Sequence, residues 1–381
     1  MRLSIIRVLF FLLPLIYIPN IFNPYEFPKF VVFVGTVGFL GIATLRQAQG
    51  KLLRNDKNKL DLLTCLVIFY GIIVYLADIL GLDPRTSFLG SQFRHQGFVT
   101  LLAGICLFLL IRYNFHKDHN NYKDYTRWIL LGGFLVCIIA IWQGIGVFIF
   151  HDLTIPTYQG RIVGTIGNPN SLGGYLAMVL PFLLFAKNKN YKHFVLSGVI
   201  IFVVFMAQSR GAILASGLVI ALYVMKLLYK AVFWKKIAAI IVGFVLIIFI
   251  LKTYQSGIVK ISRESIWDNR VLIWTEGLKA FQRRPILGYG QENFELIFPK
   301  ERKMFVDNAH NIFLETLISS GVIGFVFYLW ILICAFKKAS IDIRMSFLAF
   351  IIVGQFNPLS ITQISLFWFL LGISSKKSPA L

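Results

Sequence analysis

Acidic residues are scarce in this 381-residue chain: 17 aspartates and glutamates stand against 38 lysines and arginines, and charged residues make up only 14%. With 57% hydrophobic residues, that composition excludes an ordinary soluble domain. Cysteine is rarer still. Cys65, Cys106, Cys137 and Cys334 all fall inside apolar runs, which leaves neither a disulfide framework nor a metal cluster. Three absent motifs narrow the chemistry. No glycine-rich loop ends in Gly-Lys-Ser/Thr, so ATP is not an evident fuel, and no His-Glu-x-x-His marks a zinc peptidase. No Asp-x-Asp pair is present to hold a divalent metal against a nucleotide diphosphate. No metal or other cofactor is therefore expected. Carboxylates deep in the apolar runs are also missing, Asp78 and Glu315 lying near their ends, which disfavours an ion-coupled carrier.

What is abundant is apolar sequence in stretches that fit the ~20 residues a helix needs to cross a bilayer. Such windows lie near 5–19, 28–45, 60–80, 98–111, 128–150, 171–186, 194–209, 212–229, 237–251, 311–336, 345–357 and 359–375. They predict an all-α polytopic protein of about twelve transmembrane helices, a single membrane domain over residues 1–381. The first stretch has no small-residue cleavage site and reads as an uncleaved helix. One long polar interruption, residues 252–309, separates the ninth and tenth spans, and its polar backbone must lie outside the hydrocarbon layer.

Charge orients the chain. Most lysines and arginines fall on the side of the termini, whereas the opposite side, outside its long loop, has only Lys29, Arg85, Arg94, Arg161 and Arg210. The termini are expected to be cytoplasmic and the long loop extracytoplasmic. The net charge of +21 is then mostly a topology signal, and nucleic acid is not an expected partner.

Several outward-facing groups can carry chemistry. The segment Gln159–Ser171 contains three glycines and a proline; Asn170 or Ser171 is expected to cap the next helix, whose free N–H groups with Arg161 would suit an anionic oxygen. A capped helix with an interfacial arginine is the simpler reading. Arg210 is pinned in a very short turn between two spans, where it either snorkels to headgroups or offers its fork to a phosphate. Glu264 to Phe281 is expected to be an amphipathic helix with Ile266, Trp267, Trp274, Leu278 and Phe281 in an apolar stripe at the membrane interface. Arg270 shares that stripe, as a lipid-phosphate ligand or as the partner of Asp268. Asp307 or Asn308 is expected to cap the tenth span. That places His310 in its first turn, where a helix N-terminus keeps the imidazole neutral and able to accept a proton. His95 and His151 share the outer face in less constrained settings; a structural histidine is the bland alternative throughout.

Read in order, these pieces resemble the O-antigen ligase and polymerase-like superfamily of bacterial membrane glycosyltransferases. The matching segments are Phe88–Gly97, Arg161–Asn170, Ser209–Gly211, Asn269–Trp274, Pro285–Gly290 with Asn293 and Phe294, His310–Leu314 and Gly321–Gly324, over about residues 83 to 330. The resemblance implies a GT-C-like fold in the bacterial cytoplasmic membrane. It further implies transfer of a glycan from an undecaprenyl-diphosphate carrier to an acceptor hydroxyl outside that membrane, without metal or nucleotide and with inversion. The acceptor would be a glycan, a lipid or a protein, so ligation, repeat-unit polymerisation and protein O-glycosylation all stay open. By motif, Arg210 and Arg270 would hold the diphosphate, with Arg161 a third contact, and His310 would activate the acceptor. Candidate groove residues are Arg94, Asn168, Asn170, Trp267, Trp274, Tyr289 and Asn311. A non-enzymatic exporter or flippase of lipid-linked sugars is the alternative from another class; it has no need of a histidine fixed beside outer arginines. A membrane scaffold leaves those arginines unexplained.

Overall fold

The computed structural model describes residues 2–48, 61–114, 119–148, 150, 156–187, 189–229, 266–299, 301 and 304–374. The chain begins with α1 (Arg2–Leu12), a short 3-10 turn (Leu13–Leu15), α2 (Glu26–Ala48), α3 (Leu62–Ile79), α4 (Pro84–Leu89), α5 (Phe98–Asn114) and α6 (His119–Phe148). A two-residue antiparallel pair, β1 (Thr157–Tyr158) with β2 (Arg161–Ile162), follows. Then come α7 (Pro169–Leu184), α8 (Tyr191–Met206), α9 (Arg210–Leu228), α10 (Ile266–Arg283), α11 (Phe294–Ile297), α12 (Ile312–Lys338), α13 (Ile341–Gly354) and α14 (Ile361–Ser374).

A helix occupies each expected window except 237–251, which lies outside the described residues, as does the start of the long loop, 252–265. Leu62–Ile79, Tyr122–Val147, Arg210–Leu228 and Ile312–Lys338 are long and apolar enough to cross a membrane, and five further apolar helices are shorter. The protein is thus a helical membrane protein; the count of twelve spans rests on the sequence alone.

The bundle is built around α7, buried along nearly its whole length against α8, α9 and α13. A helix apolar on every face belongs in the middle of such an assembly. Around it α3 packs on α12, α5 on α14 and α1 on α6. The bundle has two chemically different ends. At one, the start of α3, the end of α5 and the end of α12 meet. Asp61 accepts from Arg112 Nε at 3.1 Å and pairs with Lys338 Nζ at 3.4 Å. The other end gathers the starts of α5, α7, α9, α12 and α14, and every candidate residue with a described side chain sits there.

The expected tenth span, 311–336, is not one straight helix. It breaks at Gly321, whose φ of 65° is open to glycine, and a Cβ there would lie 2.0 Å from the Ile286 carbonyl oxygen. The motif Pro285–Gly290 docks into this break: Tyr289 N and Gly290 N donate to Ile318 O and Ser319 O at 3.0 and 2.9 Å, and Val322 N to Pro285 O at 2.8 Å. Two segments recognised separately in the sequence are one joint in space.

The described part of the long loop is itself a small packed unit. Ile273 and Ala280 of α10 share a core with Tyr289, Phe294, Phe298, Val306, Ala309 and Ile318. Trp274 and Phe281 of the expected stripe pack against this core, whereas Leu278 is exposed. Gly277 lets α10 approach the first segment of α12: a Cβ there would lie 2.9 Å from Ile318 Cδ1.

Candidate functional site

The His310 turn is fixed by its backbone. Asn311, not Asp307 or Asn308, caps α12, its Oδ1 accepting from Phe313 N and Leu314 N at 3.0 and 3.1 Å. His310 consequently stands just ahead of the helix, with φ at 53°. Its N–H donates to Asn308 Oδ1 at 2.6 Å. The neighbouring Ala309 N–H donates to Glu315 Oε2 at 2.8 Å, and Ala309 O accepts from Trp274 Nε1 at 3.0 Å. Left-handed backbone is uncommon for a residue with a Cβ and persists where its surroundings over-determine it. Burial pulls the imidazole pKa down to about 4; Asp307 opposes that shift, and Arg94 and Arg270 reinforce it. The ring is neutral at pH 7, as expected, but from burial and neighbouring guanidiniums, not from a place inside the helix.

Three arginines from distant parts of the chain gather at this end, and one of them, Arg270, acts on His310. Arg210 opens α9, and Gly211 next to it presses on the α13–α14 turn, where a Cβ would lie 3.6 Å from Phe356 Cβ. Arg270 of α10 reaches the same turn, donating from Nη2 to Phe356 O at 2.8 Å. Arg161 sits on β2, half-buried, with its guanidinium 5.9 Å from the Tyr158 ring. Its loop is tied down by Gln143 Oε1, which accepts from Val163 N and Gly164 N at 2.9 and 2.8 Å. Lys29 Nζ adds a bond to Thr165 O at 2.7 Å. Burial lowers the pKa of both Arg161 and Arg270, and Arg210 adds to both shifts. The three guanidiniums thus share one electrostatic neighbourhood, and Arg270 also acts on His310. Among the described residues no carboxylate lies within ion-pair distance of Arg161 or Arg210. Half-buried cations brought together in this way form a candidate anion site.

Arg94, expected to line a substrate groove, differs from these three in its partners. Its Nη2 bonds Glu292 Oε1 at 2.9 Å and its Nε faces Asp307 Oδ2 at 3.5 Å, with both Arg94 and Glu292 buried. Other groove candidates also have structural duties. Tyr289 is buried and donates its hydroxyl to Ala280 O at 2.9 Å. Asn168, not Asn170 or Ser171, caps α7, accepting from Asn170 N at 2.8 Å ahead of Pro169 at the first helical position. Asn311 is the α12 cap, and Trp274 holds the His310 turn. Asn170 is half-buried in the first turn of α7 near Arg161. Trp267 falls at the start of α10, ahead of the described side chains, as does Asp268. His95 packs against Phe27 and Phe30, with ring centroids 5.2 and 5.3 Å away, and is structural; His151 lies outside the described residues.

Sequence reasoning missed Glu292, Lys29 and Gln143. It also had no view of backbone strain. Of the six non-glycine residues at positive φ among the described residues, Gln159, Gln208 and His95 lie within two positions of Arg161, Arg210 and Arg94; two others are Glu292 and His310. Only Asn20 lies elsewhere. Strain concentrated at one end of a bundle marks that end as the functional one.

A model of the O-antigen ligase family matches residues 194–329, which run from α8 through α12 and include Arg210, Arg270 and His310. The chain is also 28% identical over 216 residues to the ComP-specific O-oligosaccharyltransferase of Acinetobacter baylyi. That match covers 51% of this chain and 39% of the relative, so the chain spans about two fifths of the length of the relative it matches. The resemblance to the O-antigen ligase-like superfamily read from the sequence therefore holds.

Proposed function

We propose that this protein transfers a glycan from an undecaprenyl-diphosphate carrier to an acceptor hydroxyl at the outer face of the bacterial cytoplasmic membrane. The observation that carries the reading is the grouping of Arg161, Arg210 and Arg270 beside a neutral, backbone-fixed His310. Twelve spans with both termini cytoplasmic would put this end outside. The arginines would hold the diphosphate and offset the charge that builds on it as the glycosyl bond breaks. His310 would take the acceptor proton while the acceptor oxygen attacks the anomeric carbon, and undecaprenyl diphosphate would leave with its bonding electron pair. One displacement inverts that carbon. The bond is already activated by its leaving group, so the arginines can do by charge what a divalent metal does elsewhere, and no metal is needed. The polyprenyl tail would lie among membrane lipids, with Trp267 and Trp274 near its headgroup.

Glycan, lipid and protein acceptors are all compatible with this chemistry. The name of the relative favours a protein O-oligosaccharyltransferase as the second reading over a repeat-unit polymerase. Incubating the purified protein with undecaprenyl-diphosphate glycan and each acceptor class, then identifying products by mass spectrometry, decides among them. Movement of the lipid-linked glycan across a bilayer with no covalent product would replace the proposal by an exporter or flippase.

A further inference from the structure

Among the described residues Arg94 has two carboxylate partners, whereas Arg161 and Arg210 have none within ion-pair distance, and the difference assigns it another task. Glu292 lies in the turn between α10 and α11, and both of its oxygens are engaged: Oε2 accepts from Ser91 N at 2.8 Å and Oε1 from Arg94 Nη2 at 2.9 Å. The turn is anchored on either side, by Gln291 N to Asp78 Oδ1 at 2.7 Å and by Asn293 Nδ2 to Ser87 Oγ at 2.9 Å. From this fixed point Arg94 reaches Asp307, three residues before His310. Glu292 and His310 are both held at positive φ, 58° and 53°. Two strained residues are thus tied through one buried guanidinium to a segment some two hundred residues earlier in the chain.

We infer that Glu292 is a positioning residue for glycan transfer, holding Arg94 against Asp307 so that the His310 turn keeps its place beside the arginines. The inference rests on the reading of His310 as the base. A carboxylate is required because only a charged acceptor with two oxygens can engage the Ser91 N–H and the guanidinium together. Neither Nε nor Nη1 of Arg94 makes a protein hydrogen bond, so the contact with Asp307 at 3.5 Å is an ion pair, and Arg94, Gln291 and Tyr328 line a cavity of about 150 Å³. A cavity of that size with polar lining has room for water.

The test is Glu292→Gln with two readouts, transfer kinetics and the rate at which diethyl pyrocarbonate labels His310, followed by mass spectrometry. Half-buried His193, in the first turn of α8, is the internal control. Misplacing a catalytic group by about 1 Å can cost about 10²-fold, so kcat is expected to fall toward that extent while donor KM stays within about twofold. His310 labelling should quicken by about tenfold, as its protecting turn loosens locally, with His193 unchanged. Removing one partner of a buried pair can unfold a protein, whereas replacing both by apolar residues is often tolerated. The double variant Arg94→Met, Glu292→Leu should therefore fold, and show the same kcat loss and faster labelling. Unchanged kcat, a rise in donor KM alone, or loss of folded protein in both variants overturns the inference. Unchanged His310 labelling does so even if the wild-type protein transfers no glycan. Absence of wild-type transfer with faster labelling in Glu292→Gln would sink the transferase reading and leave the positioning role standing.

Discussion

Arg94 and Arg210 lie at the same end of the bundle, each at or just before a helix start, yet their surroundings are opposite. Arg94 is enclosed by Glu292 and Asp307, carboxylates delivered by the long loop. Arg210 opens α9 with Arg161 and Arg270 as its charged neighbours and no carboxylate in ion-pair range among the described residues. Desolvating a guanidinium costs free energy that a carboxylate repays; where none is supplied, the site is built for an anion that arrives from outside. The same side chain is thus part of the frame in one place and available to ligand in the other. Two or three acidic residues from the far half of the chain decide which.

Mutations can break this contrast. The largest effect is expected at the base: His310→Ala should reduce transfer by about 10²–10⁴-fold with abundance and membrane insertion intact. Normal glycan assembly in that variant, scored by product mass, would remove His310 from the chemistry. Next come Arg210 and the arginines that share its electrostatic neighbourhood. Arg210→Lys and Arg270→Lys keep the charge but lose the fork, and each should raise donor KM by about tenfold to a hundredfold, the worth of one charge-assisted hydrogen bond. Arg161, on a loop at the edge of the group, should show a smaller rise, about threefold to tenfold, on the same scale. Arg94→Lys is the contrast: donor KM should stay within about twofold while kcat falls. A donor-affinity loss at Arg94 equal to that at Arg210 would erase the distinction between the two.

Much of the fold was legible because lipid and helix periodicity impose it. The expected windows matched helices wherever the structure describes them; Arg161, Arg210 and His310 were singled out from their places beside turns, and Arg270 from its place on a helix stripe. The pairing of distant segments was not legible. Nothing local in Gly290–Phe294 says that Glu292 will meet Arg94, because that bond spans 198 residues. Caps were misplaced by two to four residues for a related reason. Asn168 precedes Pro169 and Asn311 precedes Ile312, and several neighbouring polar residues compete equally well on paper. The α10 stripe was legible in part: Trp274 and Phe281 lie on its packed face, whereas Leu278 is exposed. Positive φ at Gln159, Gln208, Glu292 and His310 leaves no trace in composition at all.

The finest test uses pH, because His310 feels both kinds of neighbour. Its pKa of about 4 lies below the ordinary histidine value, so the neutral ring is present above that pKa and lost as pH falls through it. kcat/KM, which reports the free enzyme, should therefore be flat near neutrality and fall only on approach to about pH 4. kcat reports the donor complex. There the diphosphate offsets the repulsion from Arg270, so its acid limb should lie at higher pH than that of kcat/KM. Substitutions should move the free-enzyme limb in opposite directions by roughly a unit or less. Asp307→Asn removes the group that favours protonation and should shift the limb down; Arg270→Leu removes one that opposes it and should shift the limb up, besides weakening donor binding. If both variants move the limb the same way, or if the kcat limb lies below that of kcat/KM, the imidazole is not electrostatically coupled to the phosphate-binding arginines. The two halves of the site would then have to be read separately.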